Sequence, residues 1–208
     1  MKNLVYLLTL PVFFMAACTQ DTKKECHIYG QMQDHSHDGK KIYLVPMFKP
    51  DSVGVDSTVI ENGRFEFATA KNMMAIVRVE LRSRYGLEDL LVVTEPGDVI
   101  VTVGRVSRGG GTLQNDSLQK WKEMTFKHRK LLSPYLKRMN DARKSGDSLA
   151  LKSVKVRIDS LSRIYRHYSQ RMAEGVGSGP LREFLNARFP RSYKRKMLDG
   201  SVKEIKMD

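Results

Sequence analysis

The sequence predicts an α+β chain: an antiparallel β-sandwich or open barrel of about seven strands, followed by an antiparallel helical hairpin. Three observations carry this expectation. Apolar residues alternate or run in short blocks as far as Val106, then recur at steps of three and four from Leu118 onward. Turn dipeptides fall between the blocks. The charge divides where the periodicity changes. At 208 residues, 41% hydrophobic and 28% charged, the chain can bury one sizeable core or two small ones and is too apolar for disorder throughout.

Residues 1–17 read as a lipoprotein signal peptide and 18–25 as a tether. Lys2 is followed by an apolar run from Leu4 to Met15 that ends in Ala16-Ala17-Cys18. The run falls short of the roughly 20 apolar residues of a spanning helix and meets the polar stretch Thr19 to Lys24 directly. Small residues before a cysteine resemble the bacterial lipobox, in which the cysteine is acylated and becomes the new N-terminus. The resemblance implies a lipid anchor at Cys18 of the palmitate type and a place in the bacterial cell envelope. Thr19 after the anchor resembles sorting to the outer membrane. With two cysteines in all, Cys26 is the second thiol, and no Cys-x-x-Cys pair exists for dithiol redox chemistry. Cys26 lies beside an alternating segment and reads as a small packed residue.

The β half is assigned to residues 26–106, with strands at His27–Gln33, Lys41–Pro46, Val55–Glu61, Arg64–Ala68, Ala75–Leu81, Asp89–Thr94 and Asp98–Val103. Asp38-Gly39, Asn62-Gly63 and Pro96-Gly97-Asp98 separate them, and such pairs tolerate the positive φ of tight hairpins. A meander of antiparallel strands is the expected topology. Residues 107–114, with Gly109-Gly110-Gly111, read as a glycine-rich joint.

The helical half is assigned to residues 115–190. Leu118, Trp121, Thr125, His128, Leu132, Tyr135 and Met139 share one helical face, and Leu151, Val154, Ile158, Leu161, Tyr165, Tyr168 and Met172 share another. Gly146 and the N-cap candidate Asp147 separate the two, so the second helix returns along the first. Pro134 should kink or interrupt the first helix. A short helix from Pro180 to Arg188 follows, and residues 191–208 read as a basic tail.

The chain carries a formal charge of +13. Residues 18–113 hold 12 Lys and Arg against 13 Asp and Glu, whereas residues 114–208 hold 23 against 10, so all the excess sits in the helical half. Lys120, Lys127, Lys130, Lys137, Lys152, Lys155 and Arg166 lie off the apolar seam and are the candidate contacts for an anionic lipid or glycan. An ordinary solvated face explains their positions but not the imbalance. Nucleic acid is not expected as a partner, because the export signal argues against it.

Three stretches carry a further likeness: Val55 to Val59 followed by Asn62-Gly63-Arg64-Phe65-Glu66-Phe67, then Glu95-Pro96-Gly97-Asp98, then Gly111 to Asp116. In that order they resemble the domain of unknown function that forms the N-terminal module of thiol-disulfide oxidoreductase lipoproteins of Bacteroidetes bacteria. The resemblance covers about residues 26–120 and implies a β-rich domain with a helical appendage. In those proteins a thioredoxin-fold domain follows, and here the sequence stops at Asp208 without one, so no enzymatic activity is carried over. It also implies a partner: an envelope protein with a thioredoxin fold, supplied by a separate chain.

No catalytic residue, cofactor or metal is assigned. Asp34-His35-Ser36-His37-Asp38 offers nitrogen and oxygen ligands, but polar residues are expected at a turn and a closed zinc site draws ligands from elsewhere in the fold. The glycine run lacks the spacing and lysine of a phosphate-binding loop. His128 has no nucleophile paired with it. The reading is therefore a non-enzymatic envelope lipoprotein acting as a binding or docking module, with binding of anionic glycan or lipid as the alternative.

Overall fold

The computed structural model describes residues 25–48, 55–79, 86–196 and 201–206. The residues read as a signal peptide, Cys18 and most of the residues read as a tether lie outside the described residues. Two four-stranded sheets form the β half. The first has the order β4-β1-β7-β8 and the second β3-β2-β5-β6, with β1 Cys26–Met32, β2 Lys41–Pro46, β3 Asp56–Val59, β4 Arg64–Thr69, β5 Met74–Val79, β6 Leu90–Val93, β7 Gly97–Val103 and β8 Arg108–Gly110.

Strand alternation sends one set of side chains between the sheets. Cys26, Ile28 and Met32 of β1 meet Phe65 and Phe67 of β4, Val99, Val101 and Val103 of β7, and Ile42, Leu44, Val77, Leu90 and Val92 of the second sheet. Gly30 continues the inward row of β1 opposite Phe65. A Cβ at Gly30 would stand 2.0 Å from the Phe65 ring, so the ring occupies the place of the missing side chain.

The expected sandwich with a helical hairpin is what the chain forms, but its pairing differs from a meander. β1 runs parallel to β7, in the register Cys26↔Gly97 to Met32↔Val103, and antiparallel to β4. The Asn62-Gly63 turn joins strands of different sheets: β3 pairs with β2 and β4 with β1, and only Glu61 and Arg64 bridge across the turn. Alternation specifies which face of a strand is buried, not which strand lies beside it.

The glycine run is likewise no loose joint, because Arg108–Gly110 forms β8 against β7. Gly111 follows at φ 98°, where a Cβ would stand 2.5 Å from the Asp98 carbonyl oxygen. Glycine is there for close approach of two backbones. The basic tail also has structure: β9 Ser192–Lys196 and β10 Val202–Lys206 pair antiparallel as a separate two-stranded sheet.

Helix α1 spans Leu113–Ser145, α2 Ser148–Gly175 and α3 Pro180–Arg188. Gly146, at φ 71°, ends α1, and Asp147 caps α2 by accepting from the Ala150 N–H at 2.9 Å. Pro134 removes one backbone donor but does not interrupt α1. The outer face of the second sheet, through Met74 and Val93, packs on Leu118, Trp121, Ala173, Leu181, Phe184 and Leu185. The β5–β6 side of the second sheet is thus covered on both faces, between the first sheet and the feet of the helices. Trp121 is the hub of this outer core: its ring lies against Phe184, Phe189 and Tyr165, and its indole N–H donates to Ser169 Oγ at 3.1 Å.

Candidate functional site

The foot of α1 is locked to the sandwich by polar side chains. Asn115 accepts from the Val93 N–H at 2.9 Å and donates to the Val93 carbonyl at 2.7 Å, so its amide stands in for a further strand along the edge of β6. Gln114 accepts from the Leu181 N–H and donates to Glu95, linking α3, α1 and the end of β6. Lys122 donates to the Ser107 carbonyl at 3.0 Å, and burial pushes its ammonium below the ordinary range. These contacts give the helix a rigid root.

Beyond Trp121 the helix leaves the body. The next fully buried residue of α1 is Ala142, and between them Thr125, His128, Leu132, Tyr135 and Met139 are half-buried on the side that meets α2. The opposite side presents Phe126, Lys127, Lys130, Pro134, Lys137 and Arg138, all exposed. Phe126 is 68% exposed and Leu131 57%. Lys127, Lys130, Leu131, Pro134, Tyr135 and Arg138 line one shallow cleft. Phe126, Arg129, Lys130, Ser133, Pro134 and Lys137 line a second, so Lys130 and Pro134 form the ridge that both share.

No acidic residue occurs between Glu123 and Asp141, while Lys127, Arg129, Lys130, Lys137 and Arg138 fall in that interval. Among the described residues none of these five cations has an ion-pair partner. Like charges three or four residues apart on a helix cost roughly 0.2–0.5 kcal/mol per pair. An anion set between Lys127 and Lys130 would relieve that repulsion.

Of the predicted contacts, the structure brings Lys127, Lys130 and Lys137 together on this face. Lys120 is exposed nearer the foot and lines neither cleft, and Lys152 and Lys155 are exposed on α2. Arg166 is half-buried and already engaged. Sequence reasoning missed Arg129 and Arg138 and, more consequentially, the exposed apolar Phe126, Leu131 and Pro134. The acid-free interval from 124 to 140 was the signal that marks the segment.

Other groups are accounted for by packing and turns. Cys26 is 1% exposed, and burial, with smaller contributions from Glu95 and Asp98, pushes its thiol up to about 11. It is a poor nucleophile at neutral pH. In the loop after β1, His35 Nδ1 lies 3.2 Å from Asp38 Oδ2, while Asp38 Oδ1 accepts from the Gly63 N–H at 2.7 Å and ties the loop to the β3–β4 turn. Ser36 donates to Asp34, which holds that carboxyl below its usual range. Among the described residues no group of three or more His, Cys, Asp or Glu could hold a metal ion. His128 stacks on Tyr165 at 4.3 Å between ring centres, and Tyr165 shares a 2.7 Å hydrogen bond with Thr125, so the imidazole belongs to the hairpin seam.

No helix among the described residues is long and apolar enough to cross a membrane. No curated protein and no solved structure matches the chain significantly. The family model of a domain of unknown function, DUF4369, does match, over the sandwich and the first turns of α1. The match spans residues 26–118, a little under half of the chain, and that domain is what the sandwich is similar to.

Proposed function

We propose that this protein is a non-enzymatic binding module of the bacterial envelope, held at the outer membrane by lipid on Cys18, and that the helical hairpin is its contact surface for an anionic lipid or glycan. One observation carries the reading. A helix rooted rigidly in the sandwich presents five cations that have no ion-pair partner among the described residues, along an interval that contains no carboxylate. Such a field attracts anions and weakens with ionic strength over a Debye length of about 8 Å at physiological salt.

The test is binding to immobilised dextran sulfate and to vesicles containing phosphatidylglycerol, at low and high salt. The wild-type chain should bind and release with added salt. Lys127→Glu with Lys130→Glu should abolish binding while leaving the circular dichroism unchanged, since both side chains are exposed. Retention of binding by that variant would refute the reading. For the anchor, Cys18→Ser should move the protein from the membrane fraction to the soluble one.

Docking of a separate thioredoxin-fold chain on the sheet edges is the second reading, motivated by the family resemblance. β3 and β4 are the open edges, since β6 and β8 face α1. The open pair carries exposed charged residues, Asp56 on β3 and Arg64 and Glu66 on β4. Charges of this kind blunt an edge against strand addition, which is why the hairpin is preferred. Salt-resistant capture of a thioredoxin-fold chain, lost on substitution in β4 but not in α1, would reverse that preference.

A further inference from the structure

The face of α1 that bears the cations is also apolar, and this separates the two anionic partners left open above. A helix made only to stay in water has no use for Phe126 at 68% and Leu131 at 57% exposure beside Pro134. A glycan site needs side chains that donate and accept hydrogen bonds around sugar hydroxyls, yet the uncharged polar groups lining the two clefts are Ser133 and the Tyr135 phenol. Apolar side chains interleaved with Lys and Arg on one helical face are what the boundary between headgroups and acyl chains accepts.

The position of the helix agrees. Glu25, the last residue of the tether, accepts at its carbonyl from the Gly97 N–H at 3.0 Å. Gly97 in turn adjoins Thr112, the residue before α1, where a Cβ on Gly97 would lie 3.3 Å from the Thr112 methyl. The tether therefore enters the fold beside the foot of α1. Eight residues from Cys18 to Glu25 reach at most about 27 Å when fully extended, so an acylated Cys18 holds the foot of the helix within that distance of the bilayer. Phe126 lies thirteen positions along α1, about 20 Å from the foot. Because the root is rigid, sandwich and hairpin turn together about the tether, and that rotation brings the face down without lengthening the tether.

We propose that the outward face of α1 from Phe126 to Arg138 rests in the headgroup layer of an anionic bilayer. Phe126, Leu131 and Pro134 enter the interface, and Lys127, Lys130, Lys137 and Arg138 meet lipid phosphates. The proposal deepens the anionic-contact reading and rests on it. It adds that the partner is a bilayer and that apolar insertion is required. Each basic residue held near an anionic surface contributes roughly a fivefold gain in partition, so four act together even before the anchor concentrates the protein there.

The test uses the chain from residue 19 onward, which keeps every described element and lacks the acyl group. Binding is measured by co-sedimentation with vesicles of phosphatidylcholine alone, with vesicles of equal parts phosphatidylcholine and phosphatidylglycerol, and by retention on soluble dextran sulfate. Wild type should bind the mixed vesicles and not the neutral ones. Phe126→Ser with Leu131→Ser should weaken mixed-vesicle binding by roughly tenfold or more and leave dextran sulfate binding unchanged. A second readout is independent of affinity: in a Trp121→Phe background, Phe126→Trp should shift to the blue and be quenched by brominated acyl chains on mixed vesicles. Undiminished vesicle binding by the double serine variant, or no quenching, overturns the insertion and leaves the anionic contact standing. Failure of wild type to bind either vesicles or dextran sulfate overturns both.

Discussion

At Cys26 the buried thiol couples protonation to folding. Its ordinary value is 9.0 and burial raises it to about 11 in the folded chain. Below pH 9 both states are protonated and the native packing keeps its full contribution. As the pH rises from about 9 to 11 the unfolded chain ionises while the folded one resists, so stability falls, by up to roughly 2–3 kcal/mol. Urea midpoints near pH 8 and near pH 10 should therefore differ more for wild type than for Cys26→Ala, which has no thiol to titrate. The same burial predicts slow modification by maleimide at neutral pH in the native protein and rapid modification in urea.

Among the elements, the edge of β6 shows how a side chain can complete a sheet. Asn115 is buried and meets both backbone groups of Val93. Asn115→Ala would leave a buried N–H and a buried carbonyl unpaired, a loss of about 3 kcal/mol, and Asn115→Asp should be no better because it returns an acceptor but no donor. Thermal denaturation of the two variants checks this. Neither contact was legible in the sequence, where Asn115 looked like one polar residue near a helix start. What could be read was what periodicity encodes. The third helix falls at Pro180–Arg188 as expected, β2 at Lys41–Pro46 as expected, and the break between α1 and α2 at Gly146 and Asp147. Pairing partners were not encoded, which is why β7 beside β1 was missed. β8 was missed because Gly109 and Gly110 have no side chains to alternate, and β9 because a run of Lys and Arg hides a strand as well as it suggests a tail. The basic segment of the site is legible from its charge, whereas the apolar residues on its outward side are not: Phe126 and Leu131 lie off the seam, and an isolated apolar residue on a helix carries no periodic signal.

For the whole molecule, the family match and the folding unit have different limits. The match ends at Leu118, yet the outer core that covers Met74 and Val93 runs through Trp121 to Leu185. A fragment of residues 25–118 should expose that face of the second sheet and aggregate or melt well below the full chain, whereas a fragment of residues 25–191 should melt near it. Calorimetry of the two fragments distinguishes these outcomes. A last consequence is mechanical. The proposed tether leads into β1, which is not an edge strand but the second strand of its sheet, flanked by β4 on one side and β7 on the other. A pull on a lipid at Cys18 along the strand axis would load both ladders in shear, stretching their hydrogen bonds together instead of peeling them one by one. A sheet hung from an edge strand would unzip under such a load. If it is hung from β1 by the proposed lipid anchor, the protein would keep its sandwich intact when dragged through a moving envelope.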